Sequence, residues 1–268
     1  MLVFGIGKAA IMPIHRWLPA AMVAPTPVSA LLHAVAVVKA GVFSFLMIVV
    51  YIIGPDYLLQ SQASNWLVWL SSFTILAASI IAISKDDLKA RLAYSTISQL
   101  SYIILGAALA TTFALKGASF HIITHAIGKI TLFFCAGAIY VTAHVKKISE
   151  LGGLGFKTPL IFFAYTLGAL SIIGVPPLIG SWSKLFLIIG SLEADFLFVA
   201  ILLGISSLLN IYYLLQPVFI AFNKKNIKNI NITKAPLTVW PPVITGVGCL
   251  FLFFFSNYFL NIINGVVA

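Results

Sequence analysis

His121, His125 and Lys129 recur at four-residue intervals inside the stretch HIITHAIGKITLFF. On an α-helix this spacing stacks three side chains along one face. Imidazoles and amines in a row can hand a proton along, because a neutral imidazole donates at one ring nitrogen while accepting at the other. A zinc site fits less well: HIITH lacks the glutamate of HExxH and no third ligand stands nearby, so no metal is expected. The histidines could instead serve only as hydrogen-bond partners for neighbouring helices.

Lys8, Lys39 and Lys184 also lie in or beside apolar stretches, and His33 stands six residues before Lys39 on a neighbouring helix face. A lysine at the centre of a membrane helix costs about 2.5 to 3.5 kcal/mol on the insertion scale. Any one of them could avoid that cost by laying its stem along lipid and lifting its head to the interface. That alternative suits Lys8 best and Lys129, deep in its stretch, least. All six Asp and Glu fall in polar breaks, so no lysine has an evident counter-ion. Desolvation without a counter-ion favours the neutral amine, and an amine poised between its two forms can accept and release protons. Lys129 is therefore read as a relay group; the alternative is a carboxylate supplied by another chain.

The elements that must position these groups follow from composition. Of 268 residues, 61% are hydrophobic and 8% charged, against roughly 25% charged in soluble domains. Apolar stretches long enough to cross a hydrocarbon core of about 30 Å recur along the chain, and the short alternating segments of a β-barrel are absent. The expected fold is an all-α polytopic transmembrane bundle of about eight spans: roughly 1–12, 25–53, 65–84, 92–114, 119–144, 158–190, 196–222 and 237–265. Alternating sides sorts the loops. Arg16, Lys85, Lys89, Arg91, Lys146, Lys147, Lys157, Lys224, Lys225, Lys228 and Lys234 share one side, and Lys116 alone falls on the other. The basic side is expected to face the cytoplasm or the mitochondrial matrix, with both termini opposite. The net charge of +10 is thus a property of membrane loops, and no nucleic-acid partner is expected. Met1–Met12 carries Lys8 in its middle and does not read as a signal peptide. Cys135 and Cys249 read as small buried hydrophobes.

Prolines interrupt two stretches. Pro176 and Pro177 in Gly174-Val-Pro-Pro remove amide donors and release carbonyls two turns before Lys184, while Pro13, Pro19, Pro25 and Pro27 cluster near Lys8. Broken helices at membrane depth face protein or a wet cavity and point toward an ion path; a kink between packed helices is the plainer alternative.

Four stretches in order, GKAAIMPIHRWLPAAMVAPTPVSALLHAVAVVKAG (7–41), DDLKARLAYSTISQLSY (86–102), HIITHAIGKITLFFCAG and GVPPLIGSWSK, resemble the antiporter-like, proton-translocating membrane subunits of respiratory complex I and of Mrp-type multi-subunit cation/proton antiporters. The resemblance covers nearly the whole chain. It implies two inverted five-helix repeats with broken helices and a hydrophilic axis of lysines and histidines at the membrane midplane. On that basis residues 1–53 end the first repeat, 65–222 form the second and 237–265 are a terminal span. By matching motif, Lys8 takes the place of a lysine that pairs with a glutamate two spans earlier. His33 and Lys39 match connecting groups, Lys129 the central lysine with His121 and His125 beside it, and Lys184 a group near the proton exit. Family members carry about fourteen spans, and this chain starts where the seventh would be. The resemblance therefore implies partner membrane subunits, including one supplying the first six spans; a truncated, non-conducting structural piece is the alternative. No GxGxxG, P-loop or cluster-ligating cysteine set is present, so no cofactor and no redox or hydrolytic site is expected in this chain. If it belongs to a complex I, electron transfer falls to partner subunits. Lys39, where some complex I members carry threonine, leans toward the antiporter branch.

Overall fold

The computed structural model describes residues 7–32, 36–223, 233 and 235–267. Among these all regular secondary structure is helical, apart from one isolated antiparallel bridge between Asp87 and Lys147. Short turns at Trp17–Ala20 and Thr26–Ala30 precede α1 (Val37–Met47), which continues as a π-helix over Ile48–Ile53. Gly54, at φ 89°, then turns the chain by 82° into α2 (Pro55–Ser61). Next come α3 (Asn65–Ser84), α4 (Leu88–Leu109) and α5 (Thr112–Ala143), then α6 (Pro159–Ile173), α7 (Gly180–Glu193) and α8 (Leu197–Ala221). The chain closes with α9 (Pro236–Phe254) and α10 (Ser256–Val267).

Among the described residues, five helices are long and apolar enough to cross a membrane: α3, α4, α5, α8 and Leu237–Phe254; the bent pair 37–61 makes a sixth if counted as one span. Several expected boundaries move. The stretch 25–53 is not one helix but the pieces above. The turn between α4 and α5 lies at Ala110–Thr111, not at 115–118. Ala110 is left-handed (φ 57°), and Thr111 Oγ1 accepts from the Ala114 amide at 3.3 Å as an N-cap. Lys116 therefore rides on α5, over the ring of Phe113, and not in a loop. The stretch 237–265 divides at Phe255 into α9 and α10.

Burial follows polarity, inverted from the pattern of water-soluble proteins. α4, with Ser95, Thr96, Ser98, Gln99, Ser101 and Tyr102, is 94% buried over its membrane window, whereas apolar α9 is 17% buried. Lipid solvates apolar side chains as well as protein does, so the hydroxyl-bearing helix goes inside. α5 lies against α4, α6, α7 and α9. Its 32 residues span about 48 Å at 1.5 Å each, well beyond a core of about 30 Å. α7 meets α5 backbone to backbone: a Cβ on Gly190 would lie 2.2 Å from the Ala114 nitrogen.

Arg91, expected in a basic loop, is buried. Its guanidinium donates to the carbonyls of Lys85 (2.9 Å), Ile83 (3.2 Å) and Tyr213 (3.2 Å) and to Gln216 Oε1 (2.5 Å). It ties the α3–α4 turn to α8 through acceptors the helices leave open.

Candidate functional site

Lys129 lies near the middle of α5 with 0% of its surface exposed. Its Nζ donates to Ser95 Oγ at 2.6 Å and to the Leu92 carbonyl at 3.3 Å, both on α4. Ser95 Oγ is 3.0 Å from the Tyr213 hydroxyl on α8, which also bonds to Asn210 Oδ1. A phenol has one proton and a carboxamide oxygen can only accept. The Tyr213 proton therefore goes to Asn210, and Ser95 donates to the phenol oxygen. Lys129, Ser95, Tyr213 and Asn210 thus form a head-to-tail string of donors.

Lys184 on α7 occupies a second cluster. Its Nζ donates to Ser207 Oγ at 3.0 Å and sits 5.2 Å from the centre of the Tyr102 ring. Tyr102 stacks on His121 at 5.6 Å. His121 Nδ1 lies 2.9 Å from Ser183 Oγ, whose own proton goes to the Gly180 carbonyl at 2.9 Å. His121 is accordingly protonated at Nδ1, leaving Nε2 as the acceptor; that buried atom has no protein partner among the described residues. The His125 ring follows at 6.0 Å, also fully buried. Lys39 enters from α1 and donates to the Ile122 carbonyl at 2.7 Å, beside His121.

Pro176 and Pro177 fall in a connection between two helices. Residues 174–179 separate α6 from α7, with Pro176 and Pro177 exposed. Gly174 sits at φ 91°, which a side chain rarely tolerates, and a Cβ there would come within 2.8 Å of Lys184 Cδ. The break thus makes room for the lysine stem. Lys8 behaves differently: its backbone packs against Gly41 of α1, but the side chain is exposed and is not brought to the buried clusters. His33 lies outside the described residues.

Sequence reasoning missed Ser95, Tyr102, Ser183, Ser207, Asn210 and Tyr213. Their signal was the density of hydroxyls in YSTISQLSY and the spacing of Ser207, Asn210 and Tyr213 along one helix face. The Gln99 amide, Tyr102 Oη, Ser206 Oγ and Asn210 Nδ2 are buried without a protein hydrogen bond among the described residues. Tyr102 Oη nonetheless lies close to Ser206, Ser207 and Asn210. Buried polar atoms of this kind are commonly satisfied by internal water.

A helical bundle with membrane-length spans that buries amines, imidazoles and hydroxyls among its apolar core has the makeup of a polytopic membrane subunit. Residues 1–210 match the profile of the NADH:quinone oxidoreductase/Mrp antiporter transmembrane family, and the chain belongs to that family. It is 38% identical over 229 residues to NADH-quinone oxidoreductase subunit N of Desulforudis audaxviator, covering 83% of this chain and 44% of that protein. It is 35% identical over 260 residues to subunit L of Mycobacterium tuberculosis, covering 94% and 40% respectively. The chain thus spans less than half the length of these curated relatives. Its fold matches the Mrp complex from Dietzia sp. (TM-score 0.89, 22% identity, all of this chain and 57% of that one). It also matches respiratory complex I from Thermus thermophilus (TM-score 0.78, 24% identity, 97% and 57%).

Proposed function

We propose that the chain conducts protons through the membrane plane as an antiporter-like subunit of a larger complex, of the complex I or the Mrp kind. The observation that carries this reading is the burial of three amines, Lys39 (6% exposed), Lys129 (0%) and Lys184 (7%), each held by neutral acceptors. Amines placed so can carry a proton without being locked in the charged form by a carboxylate. His121 stands at the crossing: Lys39 bonds the carbonyl of Ile122 next to it, the Tyr102 ring beneath Lys184 stacks on it, and His125 follows one turn on along α5, on the way to Lys129. Like charges converging on one low-dielectric point oppose each other, so the charge on Lys39 favours release of a proton from Lys184. Water joining the buried hydroxyls would complete the gaps. Lys8, exposed on this chain, meets a carboxylate of a neighbouring subunit, and His33 keeps the connecting role that the family resemblance implies. The basic loops face the cytoplasm or matrix, and residues 65–222 act as one repeat.

The test is Lys129→Ala in the complex purified from its native membrane and reconstituted in vesicles with a trapped pH dye. Proton flux is expected to fall to background while the set of co-purifying subunits stays the same. Unchanged flux would reject the relay and leave a structural role.

A further inference from the structure

On the side where α4 begins, α5 ends and α9 begins, the bundle carries an open cleft of about 680 Å³ that the proton axis does not use. Its volume lies in the range of small-ligand sites, about 300 to 1,000 Å³. Its walls are apolar: Phe134, Gly137 and Val141 on α5, Leu237 and Pro241 on α9, and Pro25 opposite. Val141 is 42% and Leu237 84% exposed, facing what in a membrane is lipid. Thr26 packs onto Gly137, where a Cβ would be 3.0 Å from the threonine methyl, and so forms the floor.

The mouth is polar and cationic. The Leu88 amide donates to the Lys146 carbonyl at 3.0 Å, and the Asp87–Lys147 bridge lies alongside, so Lys146 is fixed next to Lys89 at the start of α4. Lys89 Nζ spends one proton on the Ala24 carbonyl at 2.7 Å, and Lys146 Nζ lies 5.0 Å over the Tyr140 ring. Each ammonium has three donors, so both retain N–H groups for a further acceptor. Asp87, the one carboxylate at the rim among the described residues, is engaged as the α4 cap, accepting from the Ala90 amide at 2.8 Å. From Ala143 at the mouth to Phe134 is nine residues of helix, about 13 Å. That is close to half of a hydrocarbon core of about 30 Å, the depth of one leaflet.

A free anion would satisfy the lysines and leave the walls unexplained; an apolar ligand would do the reverse. We propose that the cleft binds an anionic phospholipid, its phosphate between Lys89 and Lys146 and one acyl chain lying along α5 as far as Phe134. Basic pockets between membrane helices on the positively charged side recognise such head groups.

The complex purified with this chain in mild detergent, delipidated and titrated by native mass spectrometry with phosphatidylglycerol or phosphatidylcholine of the same acyl chains, tests this. Phosphatidylglycerol is expected to bind at least about tenfold more tightly. Lys89→Gln with Lys146→Gln should remove that preference and leave phosphatidylcholine binding unchanged, whereas Val141→Trp, which fills the cleft and spares the lysines, should weaken both lipids. Equal affinities for wild type, or a preference that survives both variants, overturns the proposal. So does cross-linking of a photoreactive group on Val141→Cys to a protein subunit instead of lipid in native membranes.

Discussion

Lys39 and Lys129 are both amines sunk into the bundle, yet their partners differ in kind. Lys129 donates to a hydroxyl that leads on through Tyr213 to Asn210. Lys39 donates to the main-chain carbonyl of Ile122. A hydroxyl accepts one proton and donates another, so it can pass a proton on; a peptide carbonyl only accepts, so it can hold an amine but not relieve it. Burial alone therefore does not define a relay position. On the proposed function, Lys129 is then the exchanging group and Lys39 the one that supplies charge beside His121.

Arginine substitution separates the two roles, because a guanidinium keeps its charge and does not deprotonate in proteins. Lys129→Arg is expected to cut proton flux by at least about 100-fold, the scale of losing a proton-transfer group. Lys39→Arg should stay within about threefold of wild type, while Lys39→Gln, which removes the charge, should cost about tenfold. Flux in reconstituted vesicles reads all three. If the two arginine variants behave alike, the distinction between the sites collapses.

The hydroxyl string gives the next effect. Tyr213→Phe removes the oxygen between Ser95 and Asn210 and keeps the ring packing; Ser95→Ala leaves Lys129 only the Leu92 carbonyl. Each is expected to lower flux by about tenfold, with Ser95→Thr restoring it. Flux unchanged in both would mean that protons leave Lys129 by a route other than the Ser95–Tyr213 string.

How these groups converge was only partly legible beforehand. The helical class, the helix break at Pro176 and Pro177 and the candidacy of the lysines follow from local pattern, since apolar length and proline chemistry act over a few residues. Ser95 and Tyr213 meet across 118 positions of sequence, and a serine or tyrosine in a membrane helix is too ordinary to signal a partner. Arg91 looked like a loop charge because it follows Lys85 and Lys89. Only the packing of α8 supplies the carbonyl and the Gln216 oxygen that bury it. Lys116 drew the α4–α5 turn toward itself in the sequence reading, although the Thr111 cap was present in the letters.

The break beside Lys184 offers a smaller effect. Gly174→Ala places a methyl where the Lys184 stem lies and imposes a side chain on a positive φ. A loss of stability of about 1 to 2 kcal/mol and a threefold to fivefold fall in flux are expected, with thermal denaturation and vesicle assays as the measures. A stability loss with flux intact would show that Lys184 accommodates the displacement.

The smallest effect concerns the frame of α4, which carries Ser95 but not the partner of Lys39. Asp86, in the turn before α4, accepts from the Ser149 amide at 3.0 Å and from Ser149 Oγ at 2.8 Å. Its slight burial acts to raise its pKa. The two Ser149 hydrogen bonds, with the charges of Lys147 and Arg91, outweigh that and hold the carboxyl below its ordinary value. An unfolded aspartate titrates near 3.9. Because the folded value is the lower, the tether's contribution is fully present above about pH 4 and is lost as pH falls through the folded value. Asp86 is exposed, so screening keeps the contribution small. Melting temperature measured from pH 6 down to pH 3 should decline a little less steeply in Asp86→Asn than in wild type. Identical slopes would mean that the Ser149 contact does not brace the helix on which the Lys129 string depends.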